Sequence, residues 1–184
     1  VPTDVKFVVL DTGTRRRLTE SRYNERRREC EQAAERYGVD SLRDLSPETV
    51  EGPEFDEPIL VKRARHVVTE NARTLLAAEA LRTGDVEEVG RLMVASHESL
   101  RDDFEVSSVE LDAIVEAALD TDGCLGARMT GGGFAGCAVA LVDAEATEAF
   151  TLEVEDSYLR ETGRQPSIYV VEPSDGVSAR EYSA

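Results

Sequence analysis

Four glycines stand within the six positions Gly131-Gly132-Gly133-Phe134-Ala135-Gly136. Such density costs backbone entropy and brings no side chains to pack, so the chain there must take left-handed dihedrals or admit another group at close range. Peptide N–H groups presented by a loop of this kind form a nest for anions, phosphate above all. Gly131, Gly133 and Gly136 satisfy the spacing G-x-G-x-x-G. A dinucleotide site, however, needs that loop to open a helix, and Cys137-Ala138-Val139-Ala140-Leu141-Val142 reads as a strand. A Walker loop is excluded as well, because no Lys-Ser or Lys-Thr follows the glycines. On these residues two readings stay open: a phosphate-facing nest, or a glycine-rich hairpin or bulge in which two strands cross closely.

Other chemistry-bearing residues are scattered. Tyr23 can be a helix core residue or can turn its hydroxyl to a ligand. His66 and His97 sit among polar neighbours on separate helices and read as structural hydrogen-bonding groups rather than as bases or metal ligands. Arg15-Arg16-Arg17 and Arg26-Arg27-Arg28 could reach a phosphate, but on an acidic surface pairing with carboxylates is the preferred reading. Asp102 and Asp103 are adjacent and diverge on a helix or turn, which suits a solvated face or a cap better than acid–base work. Cys30, Cys124 and Cys137 are odd in number and form no CxxC pair. They read as small hydrophobes in a reducing, cytoplasmic setting, with no disulfide and no zinc site.

The elements that must hold these residues follow from periodicity and punctuation. Lys6 to Leu10 is a β-rich run closed by Asp11-Thr12-Gly13. A helix capped by Thr19 or Ser21 carries the stripe Tyr23, Cys30, Ala33, Ala34 and Tyr37 and stops at Gly38. Ser41 to Glu57 is broken by Pro47, Gly52 and Pro53 and predicts a loop with one short helical turn. A long helix starts at Pro58, with Ile59, Leu60, Ala64, Val67, Val68, Leu75, Ala78 and Leu81 on its apolar face, and ends at Gly84. Asp85 caps the next helix, whose inward residues are Val86, Val89, Leu92, Met93 and Leu100. Ser107-Ser108-Val109-Glu110 has the S-x-x-E form of a capping box ahead of Leu111, Ile114, Val115, Ala118 and Leu119. Strands at Cys124–Met129 and Cys137–Val142 flank the glycine loop. A helix over about Ala144–Thr162 buries Phe150, Val154 and Tyr158, and Ser167–Val171 is the last strand. The order predicts an α+β domain over residues 1–184: an antiparallel sheet of about four strands, with a helical section over about 59–120.

Composition narrows the partners. A chain of 184 residues with 41% apolar content can bury a core, and no apolar run reaches the length of a membrane span. The net charge is −17, from 38 acidic against 21 basic residues, and only Lys6 and Lys62 are lysines. Such a surface repels phosphate backbones and anionic lipid, which sets aside nucleic acid and membrane partners and suggests adaptation to high salt. The first residues form no signal peptide, and a start at Val rather than Met suits a piece of something longer.

Ala127-Arg128-Met129-Thr130-Gly131-Gly132-Gly133-Phe134-Ala135-Gly136-Cys137 is similar to the third signature of the GHMP sugar-kinase superfamily. Three further blocks resemble the galactokinase family in particular. They are Leu10-Asp11-Thr12-Gly13 with Arg17-Leu18 and Ser21 to Arg27, then Arg63 to Asn71, and Ser96 to Ser107. The resemblance implies a C-terminal lobe that works with an N-terminal lobe to move the γ-phosphoryl group of MgATP onto the anomeric hydroxyl of galactose. It places the catalytic Asp and Arg, the phosphate-wrapping loop and the Mg²⁺ ligands in that other lobe, so no catalytic residue is expected in this chain. From this lobe it implies Tyr23 as a sugar contact and Gly131, Gly132, Gly133, Phe134 and Gly136 as a wall against the nucleotide phosphates. Ala135 stands where many members have Gly. Two alternatives stay open: a sugar- and nucleotide-sensing module without catalysis, or a kinase for another sugar.

Overall fold

The computed structural model describes residues 2–15, 19–51, 57–174 and 176. Strand β1 (Val5–Asp11) leads to helix α1 (Thr19–Tyr37), a 3-10 turn (Leu42–Asp44) and the short helix α2 (Pro47–Glu51). Helices α3 (Pro58–Thr83), α4 (Val86–Asp102) and α5 (Val109–Leu119) follow in succession. Strands β2 (Cys124–Met129) and β3 (Cys137–Asp143), helix α6 (Thr147–Thr162) and strand β4 (Ser167–Val171) complete the order. The strands form one four-stranded antiparallel sheet, as the element order predicts, and they lie in the order β2-β3-β1-β4. β1 therefore lies beside β3 although most of the chain separates them, with Val8 opposite Ala140 and Leu10 opposite Ala138.

The sheet alternates because successive side chains point to opposite faces. Val8, Leu10, Ala138, Ala140 and Val142 are fully buried beneath Ile114 and Ala118 of α5 and Phe150, Val154 and Tyr158 of α6. The last three recur every four residues, which places them on one helical face. On the opposite side, Val5 and Leu141 meet Ala80 of α3 and Val89 of α4. A separate cluster joins α1, the 3-10 turn, α2 and α3 through Ala33, Ala34, Leu42, Val50, Leu60, Ala64 and Val68.

Several expectations need correction. Tyr23 leaves the α1 stripe and is 61% exposed, whereas Ala33 and Ala34 behave as read. Leu75 is 73% exposed and Ala78 is exposed too. α3 changes partners along its length: its first half packs on α1, its end on β1 and α4, and between them Glu70 accepts from Ser96 and Arg128 while Leu75 and Leu76 face solvent. The segment after Ser41 contains two short helical pieces rather than one, because Leu42 and Val50 both reach the α1–α3 core. The cap of α5 is Ser108, whose hydroxyl accepts from the Leu111 N–H at 3.3 Å, while Ser107 donates to Asp112 instead. Asp85 caps α4 as expected, accepting from the Glu88 N–H at 3.1 Å.

Candidate functional site

The glycine loop joins β2 to β3 and is pinned at three points. At its first root, the Met129 N–H donates to Nδ1 of buried His97 on α4 at 3.3 Å. In its middle, the Phe134 N–H donates to the Val106 carbonyl at 2.6 Å. At its second root, the Gly136 carbonyl accepts both the Thr12 N–H at 3.1 Å and the Thr12 hydroxyl at 2.6 Å. Thr12 is itself fully buried, and its carbonyl accepts from the Tyr158 hydroxyl of α6 at 3.0 Å. Between the pins the backbone is left-handed at Gly131 (φ +77°), Gly133 (+76°), Phe134 (+64°) and Gly136 (+100°). Ala135 is not among the positive-φ residues, so an alanine is accommodated there.

The glycines are not equivalent. A Cβ on Gly133 would lie 2.1 Å from the Val106 carbonyl oxygen, so this glycine is needed for close packing. Phe134 also spends its N–H on Val106. Gly131 and Gly132 are exposed, and their N–H groups donate to no group among the described residues. Of the five loop residues singled out in the sequence, these two combine an exposed backbone with an N–H that is unpaired among the described residues, the combination an anion could take. A nest and a close crossing, the two readings of the sequence, thus coexist in one loop.

Gly131, Gly132 and Phe134 line a cleft of about 360 Å³ together with Tyr23, Arg26, Arg27, Cys30, Leu100, Phe104 and Val106. The fold therefore brings Tyr23 and the glycine loop, more than a hundred positions apart, to the same recess. The exposed Tyr23 ring sits at its wall and not in the core. Arg22 lies over the Phe134 ring, 5.2 Å from its centroid, a cation–π contact at the mouth of the loop. On the far side of the loop, Thr14, Arg15, Thr130, Ala135 and Cys137 line a second recess.

The arginines mostly pair with carboxylates, as the sequence suggests. Arg15 binds both oxygens of Asp11 at 2.9 and 3.0 Å, and the guanidinium holds that carboxyl below its usual range. Arg27 pairs with Glu31 at 2.9 Å on the surface. Arg16 and Arg17 lie outside the described residues. Asp103 is the C-cap of α4 and pairs with Arg65 at 3.0 Å, and Asp102 pairs with Arg101, so neither is arranged for acid–base work. The three cysteines are free and half-buried, and burial pushes Cys124 up to about 11, which leaves it a poor nucleophile. Among the described residues no group of three or more His, Cys, Asp or Glu side chains converges as a metal-ligand set.

Both histidines are structural props of this site. His97 Nδ1 must be unprotonated to accept from Met129, which puts the ring proton on Nε2, 3.4 Å from Asp112 Oδ1. His66 shares a hydrogen bond with the Ser99 hydroxyl at 2.9 Å and stacks on Phe104, ring centroids 4.4 Å apart. Burial lowers the His66 pKa to about 4. A histidine depressed in the fold takes its proton first in the unfolded chain, so stability falls as pH drops from its unfolded value toward the folded one. Between about pH 6.5 and 5 this one residue should remove roughly 2 kcal/mol. Urea titrations at pH 7 and 5 should show a smaller pH difference in His66→Asn; an equal difference in both proteins would refute the assignment.

Sequence reading missed several residues that build the site. Thr12 reads as a strand end inside a family-like block, and Val106 stands in another such block, but neither carries a signal of its role, since an ordinary valine becomes a site residue through its carbonyl. Arg63 opens a block that resembles the family but has no role assigned to it there, and the fold leaves it 1% exposed.

The pinned loop on an antiparallel α+β sheet defines a class. Residues 77–158 of the chain match the family of GHMP kinases C terminal. β1 and β4 lie outside the matched segment but pair within the same sheet. Within that class the chain is similar to galactokinases. It is 46% identical over 176 residues to the galactokinase of Enterococcus faecalis, covering 92% of this chain and 46% of that protein. It is also 46% identical over 184 residues to that of Chloroflexus aurantiacus, covering 97% and 47%. The crystal structure of Lactococcus lactis galactokinase complexed with galactose matches with a TM-score of 0.87 at 43% identity, over 91% of this chain and 45% of that one. L. major mevalonate kinase, at 23% identity and a TM-score of 0.57, shares the fold. The chain spans about half the length of the curated relatives it matches. Among the described residues no helix is long and apolar enough to cross a membrane.

Proposed function

We propose that this chain, residues 1–184 as one lobe, is the C-terminal half of a kinase that phosphorylates galactose at the anomeric hydroxyl. The observation that carries this reading is the shared cleft, which Tyr23 and the exposed Gly131 and Gly132 line together. MgATP, when bound, supplies the transferable phosphoryl group and the charge-neutralising metal, held mainly by residues beyond this chain. Phosphoryl transfer is largely positioning and charge stabilisation. The work assigned to this lobe is accordingly limited: the N–H groups of Gly131 and Gly132 face phosphate oxygens, and the Tyr23 hydroxyl orients the sugar.

The test is a galactose-phosphorylation assay on the full-length protein and on this chain alone. Turnover by the former and none by the latter is expected; turnover by the chain alone would sink the division of labour. In the full-length protein Tyr23→Phe should lower kcat/KM for galactose about tenfold, the effect of one hydrogen bond, with little change in the KM for ATP. An unchanged kcat/KM for galactose would remove Tyr23 from the sugar site.

The acid excess, the near absence of lysine and the three free cysteines support a salt-rich, reducing cytoplasm as the working environment. A melting temperature that fails to rise with added KCl would remove the salt part of this reading.

A further inference from the structure

The turn from Asp103 to Val106, which carries the middle pin of the glycine loop, is held by side chains from two other helices. Arg63 Nη1 donates to the Asp103 carbonyl, its Nη2 to Glu105 Oε2 at 2.7 Å, and its Nε to Glu29 Oε2 at 2.7 Å. Arg26 Nε donates to the Phe104 carbonyl at 2.7 Å and its Nη2 to the Glu105 carbonyl at 3.2 Å. Lys62 Nζ adds bonds to the Asp102 carbonyl at 3.0 Å and to Glu105 Oε1 at 3.3 Å. The carbonyls of three successive residues are thus captured by guanidinium groups. Between them Glu105 is kept at φ +54°, a left-handed conformation that a non-glycine residue holds only when its surroundings impose it. The imposed bend aims the Val106 carbonyl at the Phe134 N–H and sets Val106 hard against Gly133.

We infer that Arg63, together with Arg26, is a clamp that positions the glycine loop through the Asp103–Val106 turn. Arg63 is a positioning residue: it is buried, it is absent from the cleft lining, and it acts through Val106. A purely structural role, joining α3 to α1, would need only the bond to Glu29. The two bonds to the turn, matched by two from Arg26, are what that role leaves unexplained. The kinetic consequence rests on the proposed galactose phosphorylation; the mechanical one does not.

The experiment uses the full-length protein with Arg63→Met, Glu105→Gly and Glu29→Gln. Glu105→Gly removes the side-chain acceptor while glycine tolerates the dihedral, so it keeps the question open if Arg63→Met does not fold. Glu29→Gln leaves both bonds to the turn. Amide exchange is followed at Phe134, the loop residue whose N–H is bonded to Val106, with 138–143 of β3 as internal reference. The first two variants should speed loop exchange at least about tenfold while β3 stays protected, and Glu29→Gln should not. In the sugar assay they should lower kcat about tenfold or more with the KM for galactose within about threefold, the split that mispositioning predicts. Unchanged loop exchange, or exchange that rises equally in β3, overturns the clamp. If the parent protein does not phosphorylate galactose, the functional reading falls and the exchange result alone decides the clamp.

Discussion

Gly133→Ala should abolish most of the site's function while leaving the sheet intact. Two costs combine at this position. The φ of +76° is disfavoured for any L-residue with a Cβ, by about 1–2 kcal/mol. The added methyl would also lie 2.1 Å from the Val106 oxygen and 2.8 Å from its Cβ, and the first of these atoms is backbone. Neither can swing aside, so the loop must move away from the turn by more than an ångström and surrender the 2.6 Å bond from Phe134 to Val106. Loss of a partly buried hydrogen bond adds about 1 kcal/mol, for a total of about 2–3 kcal/mol. With Gly131 and Gly132 displaced from the cleft they line with Tyr23, kcat/KM for galactose in the full-length protein should fall about a hundredfold or more, since ångström-scale misplacement has that weight. Gly136→Ala is the matched comparison: its φ is +100°, but nothing lies within 4 Å of the added Cβ, so only the dihedral strain applies. Melting temperatures and kinetics of the two variants separate contact from dihedral. Equal losses would mean that the close approach to Val106 does not matter.

That pairing also shows what the sequence could and could not reveal. The density of glycine from Gly131 to Gly136 announces an unusual backbone, and the strand on either side excludes the nucleotide motifs that the spacing mimics. Strand and helix order was legible because alternation and four-residue recurrence are local: Phe150, Val154 and Tyr158 all fall at 0% exposure. Which glycine serves ligand access and which serves packing was not legible, because the answer lies in Val106, an unremarkable residue placed by the fold. Tyr23 shows the same limit from the other side. Its spacing fits the α1 stripe, and Cys30, Ala33, Ala34 and Tyr37 of that stripe do pack in the α1–α3 core, but Tyr23 lies outside that core and lines the cleft. The Arg63 contacts to Glu29, Asp103 and Glu105 escape sequence reasoning entirely, since nothing local distinguishes a buried arginine from its exposed neighbour Arg65.

Two glycines without any motif carry the larger structural burden. Gly90 lies within α4 and Gly126 within β2, and their backbones touch. A Cβ on Gly90 would meet the Leu125 carbonyl oxygen at 2.1 Å, and one on Gly126 would meet the Gly90 oxygen at 2.2 Å and its Cα at 2.5 Å. A glycine inside a helix and another inside a strand each weaken their own element by about 0.5–1 kcal/mol, so retaining both implies close packing in return. Either Gly90→Ala or Gly126→Ala should force α4 off the sheet, loosening Val89 from Leu141 and costing on the order of 4 kcal/mol, at the severe end for a point change. The double variant should cost much less than the two singles combined, because one displacement relieves both clashes. The same displacement should reach the site, since α4 carries His97 to the Met129 root of the loop and leads at its end into the Asp103–Val106 turn. Urea midpoints for the two singles and the double would decide it. Additive and individually mild losses would show that helix and strand can separate without harm, and that the loop does not depend on where α4 sits.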